Sequence, residues 1–378
     1  MSERGIFHDE APEAPRAFLN RAVLPLWSLA LPLAALVAIA LGLAKVGGIG
    51  VVIAAIVLIG TVVAAVHHAE VVAHKVGEPF GTLVLAVAVT VIEVSLILSL
   101  MLAGGADAAT LARDTVFAAI MIITNGIVGI CLLVGGVRHH EQRFGLRGMS
   151  AALCVLAALA VLSLVLPNFT SSRPGPFYAP SQLAFTAIVS LILYATFVLV
   201  QTVRHRDYFL PEGKDGLPAD IHADPPVARD AAIAFGVLLA ALVGVVLLAK
   251  DLAPTIEAGV LGAGLPFAVV GVVIAALVLA PESLAAVKAA RRNRLQTSLN
   301  LALGSALATI GLTIPAVSIY ALVTGTQIAL GIDAKALTLL TLSLGVLILS
   351  LGTGRTTVLQ GVVHLVIFAA YLFTTVVP

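Results

Sequence analysis

Apolar runs recur along the whole chain, at about 23–45, 49–73, 80–103, 115–136, 149–167, 181–203, 229–249, 258–287, 296–323, 335–352 and 356–377. Each run is continuous, whereas the strands of a membrane β-barrel alternate apolar and polar positions over short segments. A membrane-crossing helix needs roughly 20 apolar residues. The pattern therefore predicts an all-α polytopic membrane protein of about eleven transmembrane helices. A polar stretch at 204–227 interrupts it, rich in Pro, Asp and Glu, with six runs before it and five after. Such composition marks a solvated linker. Six plus five suggests one extra N-terminal helix followed by two five-helix units. Because five is odd, the second unit enters from the opposite side, which makes an inverted-topology repeat of the kind common in secondary transporters. The expected organisation is a tail at 1–22, an extra helix at 23–48, a first repeat at 49–203, a linker at 204–228 and a second repeat at 229–378.

Composition narrows the class. Of 378 residues, 60% are hydrophobic and 11% charged. Soluble domains carry about 25% charged residues, so a soluble enzyme and a disordered protein are both excluded. The net charge of +1 hides an asymmetry. With the N-terminus in the cytoplasm and the runs alternating, sixteen of the 21 Lys and Arg fall on the cytoplasmic side. The positive-inside bias thus predicts a cytoplasmic N-terminus, a cytoplasmic linker and an outside C-terminus. The first 21 residues lack signal-peptide form, so the first apolar run is expected to remain in the mature protein. Cys131 and Cys154 lie inside apolar runs and read as small core residues.

Two carboxylates lie deep in apolar runs. Glu93 sits in the third run, in VAVTVIEVSLIL, and Glu282 in the eighth, directly after Pro281. An ionised carboxylate at the bilayer centre costs at least a few kcal/mol, which makes an ion or proton pathway the first reading. Pairing the third run with the eighth places one deep carboxylate in equivalent helices of the two units. A structural partner role for Glu93 and an interfacial pairing of Glu282 with Lys288 or Arg291 are the alternatives. Pro266 and Pro281 in the eighth run predict a discontinuous helix. Thr90 flanks Glu93, and the following run of each unit supplies Asn125, and Ser305 with Thr309. Neutral oxygens around two carboxylates suit a hard cation. No soft ligand set argues for copper or zinc.

A second cluster, His67, Glu70, His74 and Glu78, recurs every three or four residues and so lies on one helix face. It reads as a titratable patch tuning pH response at the cytoplasmic mouth, as a hydrated helix end, or as a metal site. A membrane-embedded metal-dependent hydrolase built on His67, Glu70 and His74 is the rival from another class, but the H-E-x-x-H order is absent. His139, His140 and His364 receive no role. The basic run at 290–294 is explained by topology and lipid headgroups. There is no nucleotide-binding signature and no nucleic-acid partner is expected, and no cofactor is implied. The expected partners are membrane lipid, cations and protons, with the oligomeric state open.

The segments 67–98 and 281–315 resemble the two α-repeats of the cation/proton antiporter branch of the cation/Ca²⁺ exchanger superfamily. Members of the superfamily show G-N-A-x-E in each repeat, and the matching stretches here are VTVIE at 89–93 and VLAPE at 278–282. The resemblance implies that Glu93 and Glu282 bind the ion and couple protons. Thr90 and Leu279 stand where the pattern has asparagine, which leaves room for monovalent ions. Asn125 matches a polar residue after the first repeat, and Gly304 and Ser305 match the G-S of the second. The implied activity is Ca²⁺/H⁺ exchange in a bacterial inner membrane, with Na⁺/H⁺ or K⁺/H⁺ exchange as the alternative.

Overall fold

The computed structural model describes residues 24–76, 80–103, 108–210 and 226–377. It is helical almost throughout. α1 (Leu26–Ala40), α2 (Ile49–Val76) and α3 (Phe80–Ala103) precede a long rod made of α4 (Ala108–Met121), a π-helical segment (Ile122–Ile127) and α5 (Val128–His139). α6 (Leu146–Ala160), α7 (Pro180–Leu199) and, after the linker, α8 (Ala228–Gly262) and α9 (Ala268–Arg291) follow. A second compound rod joins α10 (Leu295–Ala308), a π turn (Thr309–Thr313) and α11 (Ile314–Thr324), before α12 (Ala334–Leu351) and α13 (Val358–Val376).

Eight spans among the described residues are long and apolar enough to cross a membrane, and α9 makes up to nine. The expected count of eleven is not reached on that criterion. α1 has 15 residues, about 22 Å, because Gly42 in the left-handed region ends the helical path. In α3 the described apolar stretch is Thr90–Ser99. The seventh run was expected to stop at 249, but α8 continues to Gly262. It carries Lys250 and Asp251 outward, and Asp251 pairs with Lys45 at 3.5 Å. The discontinuity in the eighth run is present: Ala268–Ala280 and Glu282–Arg291 meet at 55°, with Pro281 at the corner. A proline inside a helix removes a backbone bond and kinks it.

The two compound rods form the centre. Burial of the apolar window is 89% for Ala109–His139 and 67% for Leu295–Thr324, against 22% for Val358–Val376. Peripheral helices instead show apolar side chains on the outside, such as Phe185 on α7 and Leu349 on α12. A water-facing surface does not look like this, whereas a lipid-facing one does. Cys131 is buried, but Cys154 is exposed on α6, contrary to the core role expected for it.

Backbone ties cross between the halves at both ends of the bundle. At one end β1 (Gln142–Arg143) pairs antiparallel with β2 (Arg355–Thr356). At the other, the loop before α12 gives Leu330 and Gly331 N–H to the Pro176 carbonyl and Ile332 N–H to that of Leu164. Asn168 donates to the Ile332 carbonyl at 2.6 Å, and Arg113 to that of Gly331 at 3.1 Å.

α5 and α13 touch backbone to backbone at Gly361, where an added methyl would run into Leu133 and the Gly129 carbonyl. Gly361→Ala should therefore lower stability by about 1–3 kcal/mol. Gly345→Ala on α12, where nothing lies within 4 Å, should be neutral or better, since Ala is the stronger helix former. Thermal melting of the purified variants in detergent checks both, and equal melting temperatures would contradict the close contact.

Candidate functional site

Glu93 and Glu282 approach the bundle from different helices and meet the same third one. Thr309 Oγ1, opening the π turn, donates to Glu93 Oε2 at 2.8 Å. Ser305 Oγ, one turn earlier on α10, donates to Glu282 Oε2. Ser305 and Thr309 are four residues apart and so share a face, about 6 Å from each other along the axis. The two carboxylates are accordingly stacked on successive turns and feel each other electrostatically. Glu93 is 3% exposed, and its second oxygen, Oε1, has no hydrogen-bond partner. Glu282 is half-buried at the bend of α9. The pairing with Lys288 or Arg291 that was its alternative is replaced by the bond to Ser305. Tyr194 of α7 lies close enough to Glu282 to sense its charge, and it reaches the π turn because Gly311 has no side chain to obstruct it. Thr90, also expected to support the ion, is buried one turn before Glu93 on α3.

Asn125 takes a different place. Its amide donates to Thr124 Oγ1 at 3.0 Å and Ser343 Oγ at 2.9 Å. Its Oδ1 lies 3.2 Å from His364 Nδ1, whose other ring nitrogen lies 3.1 Å from Ser350 Oγ. Both amide hydrogens being used, Oδ1 is the acceptor, so Nδ1 of His364 carries the hydrogen and Nε2 accepts from Ser350. Asn125 was expected as a supporting oxygen for the ion, and its polar atoms are engaged in this buried network. His364, to which the sequence assigned no role, is fully buried at its centre.

The mouth cluster is partly described. His67, Glu70 and His74 lie on α2, and Glu78 lies outside the described residues. The His67 ring sits 5.3 Å from Trp27 and 5.6 Å from His68. Glu70 is within electrostatic reach of His67 and of Lys288 on α9. Among the described residues no group of three His, Cys, Asp or Glu is placed to hold a metal ion.

The sodium/calcium exchanger protein family matches residues 46–203 and 233–377. The candidate ionic transporter y4hA of Sinorhizobium fredii is 49% identical over 313 residues, covering 83% of this chain and 84% of that protein. The sodium-potassium/proton antiporter ChaA of Escherichia coli is 38% identical over 310 residues, 82% of this chain and 84% of that one. The structure of native YfkE superposes with a TM-score of 0.69 at 17% identity, covering 91% of this chain and 100% of that chain. The H⁺/Ca²⁺ exchanger CAX gives 0.70 at 14%, covering 92% and 87%. At such identities these two structures speak to the fold.

Replacing His364 by Leu leaves Asn125 Oδ1 buried with no donor, which costs about 1–3 kcal/mol. His364→Gln, able to donate and accept, should recover a good part of it. Melting curves that do not separate the two variants would show the network contributes nothing specific.

Proposed function

The chain belongs to the sodium/calcium exchanger protein family, and from that premise we propose that Glu93 and Glu282 are the shared seat of the transported cation and the protons exchanged for it. The chain is a multi-pass membrane antiporter, a secondary transporter and not an enzyme. The observation that carries the proposal is the capping of both carboxylates by successive hydroxyls of one helix. Two ionised carboxylates on adjacent turns repel and are costly in a low dielectric. A proton on each removes that cost, and so does a cation lying between them. Protons and cation therefore compete for the same oxygens, which is exchange. Hydroxyls are neutral oxygen ligands and suit hard cations. Ca²⁺ balances two carboxylates and displaces two protons. A tenfold proton gradient supplies about 1.4 kcal/mol per proton, so two drive a roughly hundredfold Ca²⁺ gradient before any membrane potential.

Na⁺ or K⁺ as the principal cargo is the second reading. Thr90 and Leu279 in place of asparagines favour it, and the 38% identity to a sodium-potassium/proton antiporter supports it. We place the protein in a bacterial inner membrane, with lipid, cations and protons as its partners and with no cofactor and no nucleic acid.

Glu93→Gln and Glu282→Gln should each abolish exchange of Ca²⁺, Na⁺ and K⁺ against an imposed pH gradient in proteoliposomes, since Gln keeps the shape and removes the charge and the titration. Near-normal exchange by either variant takes that residue out of the mechanism. The orientation follows the charge bias. In a background lacking Cys131 and Cys154, a cysteine within 211–225 should react with an impermeant thiol reagent from the cytoplasm, and one at 378 from outside. Labelling of position 378 from the cytoplasm only would overturn the inverted arrangement.

A further inference from the structure

We propose that Thr313 is a direct ligand of the transported cation, acting with the free oxygen of Glu93. This deepens the reading of Glu93 as an ion-binding residue and rests on it.

Two observations meet at one place. Glu93 Oε1 is buried with no hydrogen-bond partner, and so is Thr313 Oγ1, whose residue is fully buried. Thr313 lies one turn beyond Thr309 on the same rod, so its hydroxyl falls on the face that Thr309 presents to the Glu93 carboxylate. Buried polar atoms without partners are few in native proteins and each asks for a reason.

A threonine inside a helix ordinarily returns its hydrogen to the carbonyl four residues back. Thr61, Thr124, Thr202, Thr341 and Thr375 all do so here, bonding Val57, Ile120, Val198, Leu337 and Tyr371. Thr313 closes the π turn Thr309–Thr313. A π turn widens the backbone and shifts its carbonyls, and such turns concentrate at functional sites. Thr313, at the end of its π turn, makes no such bond.

One occupant at a time satisfies both atoms. A hard cation between them takes Oε1 and Oγ1 as two oxygen ligands. Thr309 holds Oε2, which leaves Oε1 of Glu93 free for the cation. Glu282 of α9 is the charged group acting on Glu93.

The test compares Thr313→Val, which keeps the shape and deletes the hydroxyl, with Thr313→Ser, which keeps the hydroxyl. Apparent KM values for Ca²⁺, Na⁺ and K⁺ are measured in proteoliposomes, and the rise in melting temperature caused by each cation is measured in detergent. Loss of one oxygen ligand should raise KM about tenfold for the transported cation and shrink its melting shift in the valine variant. The serine variant should recover most of the affinity. Thr313→Ala serves in place of valine if the latter does not insert. Wild-type KM and a wild-type melting shift in the hydroxyl-free variant overturn the proposal, as does an equal loss in the serine variant. Normal exchange by Glu93→Gln would remove the reading beneath it. An inactive Glu93→Gln beside an unaffected Thr313→Val removes this inference alone.

Discussion

A carboxylate in the hydrocarbon region must be bonded, neutralised or absent, and the architecture answers that constraint with one helix. α10 presents Ser305 and then Thr309, and a carboxylate from α9 and another from α3 are each received by one of them. Everything near the centre is compatible with holding that face still. The two compound rods are the most buried elements of the protein. Gly311 opens the π turn to Tyr194, and Gly271 lets α9 lie against the backbone of Asp114 and Thr115. The bend at Pro281 points Glu282 toward α10 instead of leaving it along a straight lipid-facing helix.

The second buried polar system is neutral and has a different task. Ser350, His364, Asn125, Ser343 and Thr124 form a directed series in which donors and acceptors match. Ser343 and Thr124 end it by giving their own hydrogens to the Leu339 and Ile120 carbonyls. A satisfied network fixes geometry, whereas a half-satisfied one is costly. It locks the π-helical segment Ile122–Ile127 to α12 and α13. α1, α2 and α8 are held among themselves, through Thr61 to the Leu31 carbonyl, His68 to that of Ser28, and Lys45 to Asp251. The central polar contacts and the peripheral ones are thus separate sets.

What was legible in the sequence was whatever stands out one residue at a time. Glu93 and Glu282 are visible because a charge in an apolar run is anomalous by itself, and Pro281 announces a break because proline acts locally. The helical membrane class follows from run length. Ser305 and Thr309 are legible as candidates, and their assignment to separate glutamates needs the packing. His364 was not legible: its partners lie 239 and 14 residues away, and a lone histidine in an apolar run carries no local sign of them. The π turns were invisible for the same reason, since their widening is set by neighbouring helices. The bonds of Asn125 to Thr124, Ser343 and His364 were not legible either, because chain proximity to the repeat motif does not fix which way a side chain faces. α1 ended early at Gly42 and α8 ran past its charges, both cases in which hydropathy gives the extent of apolar sequence and not of the helix.

The pairing of two carboxylates with hydroxyls of one helix also limits what stoichiometry is tolerable. The hydroxyls add no charge, so the site carries only what its glutamates, protons and cargo sum to. In a low dielectric a residual unit charge is heavily penalised. A divalent ion meets that condition with both glutamates ionised, and its departure calls for two protons. A single monovalent ion meets it if one glutamate keeps its proton throughout, so that one proton is exchanged, whereas two monovalent ions would replace two protons. Each glutamate has its own hydroxyl partner, and a carboxyl with one oxygen accepting from a hydroxyl retains the other for a proton or an ion. The same frame is therefore compatible with either valence. On the proposed reading the choice between them falls to the neutral groups around Glu93, where Thr90 stands at the position the superfamily pattern gives to asparagine and the widened turn carries Thr313.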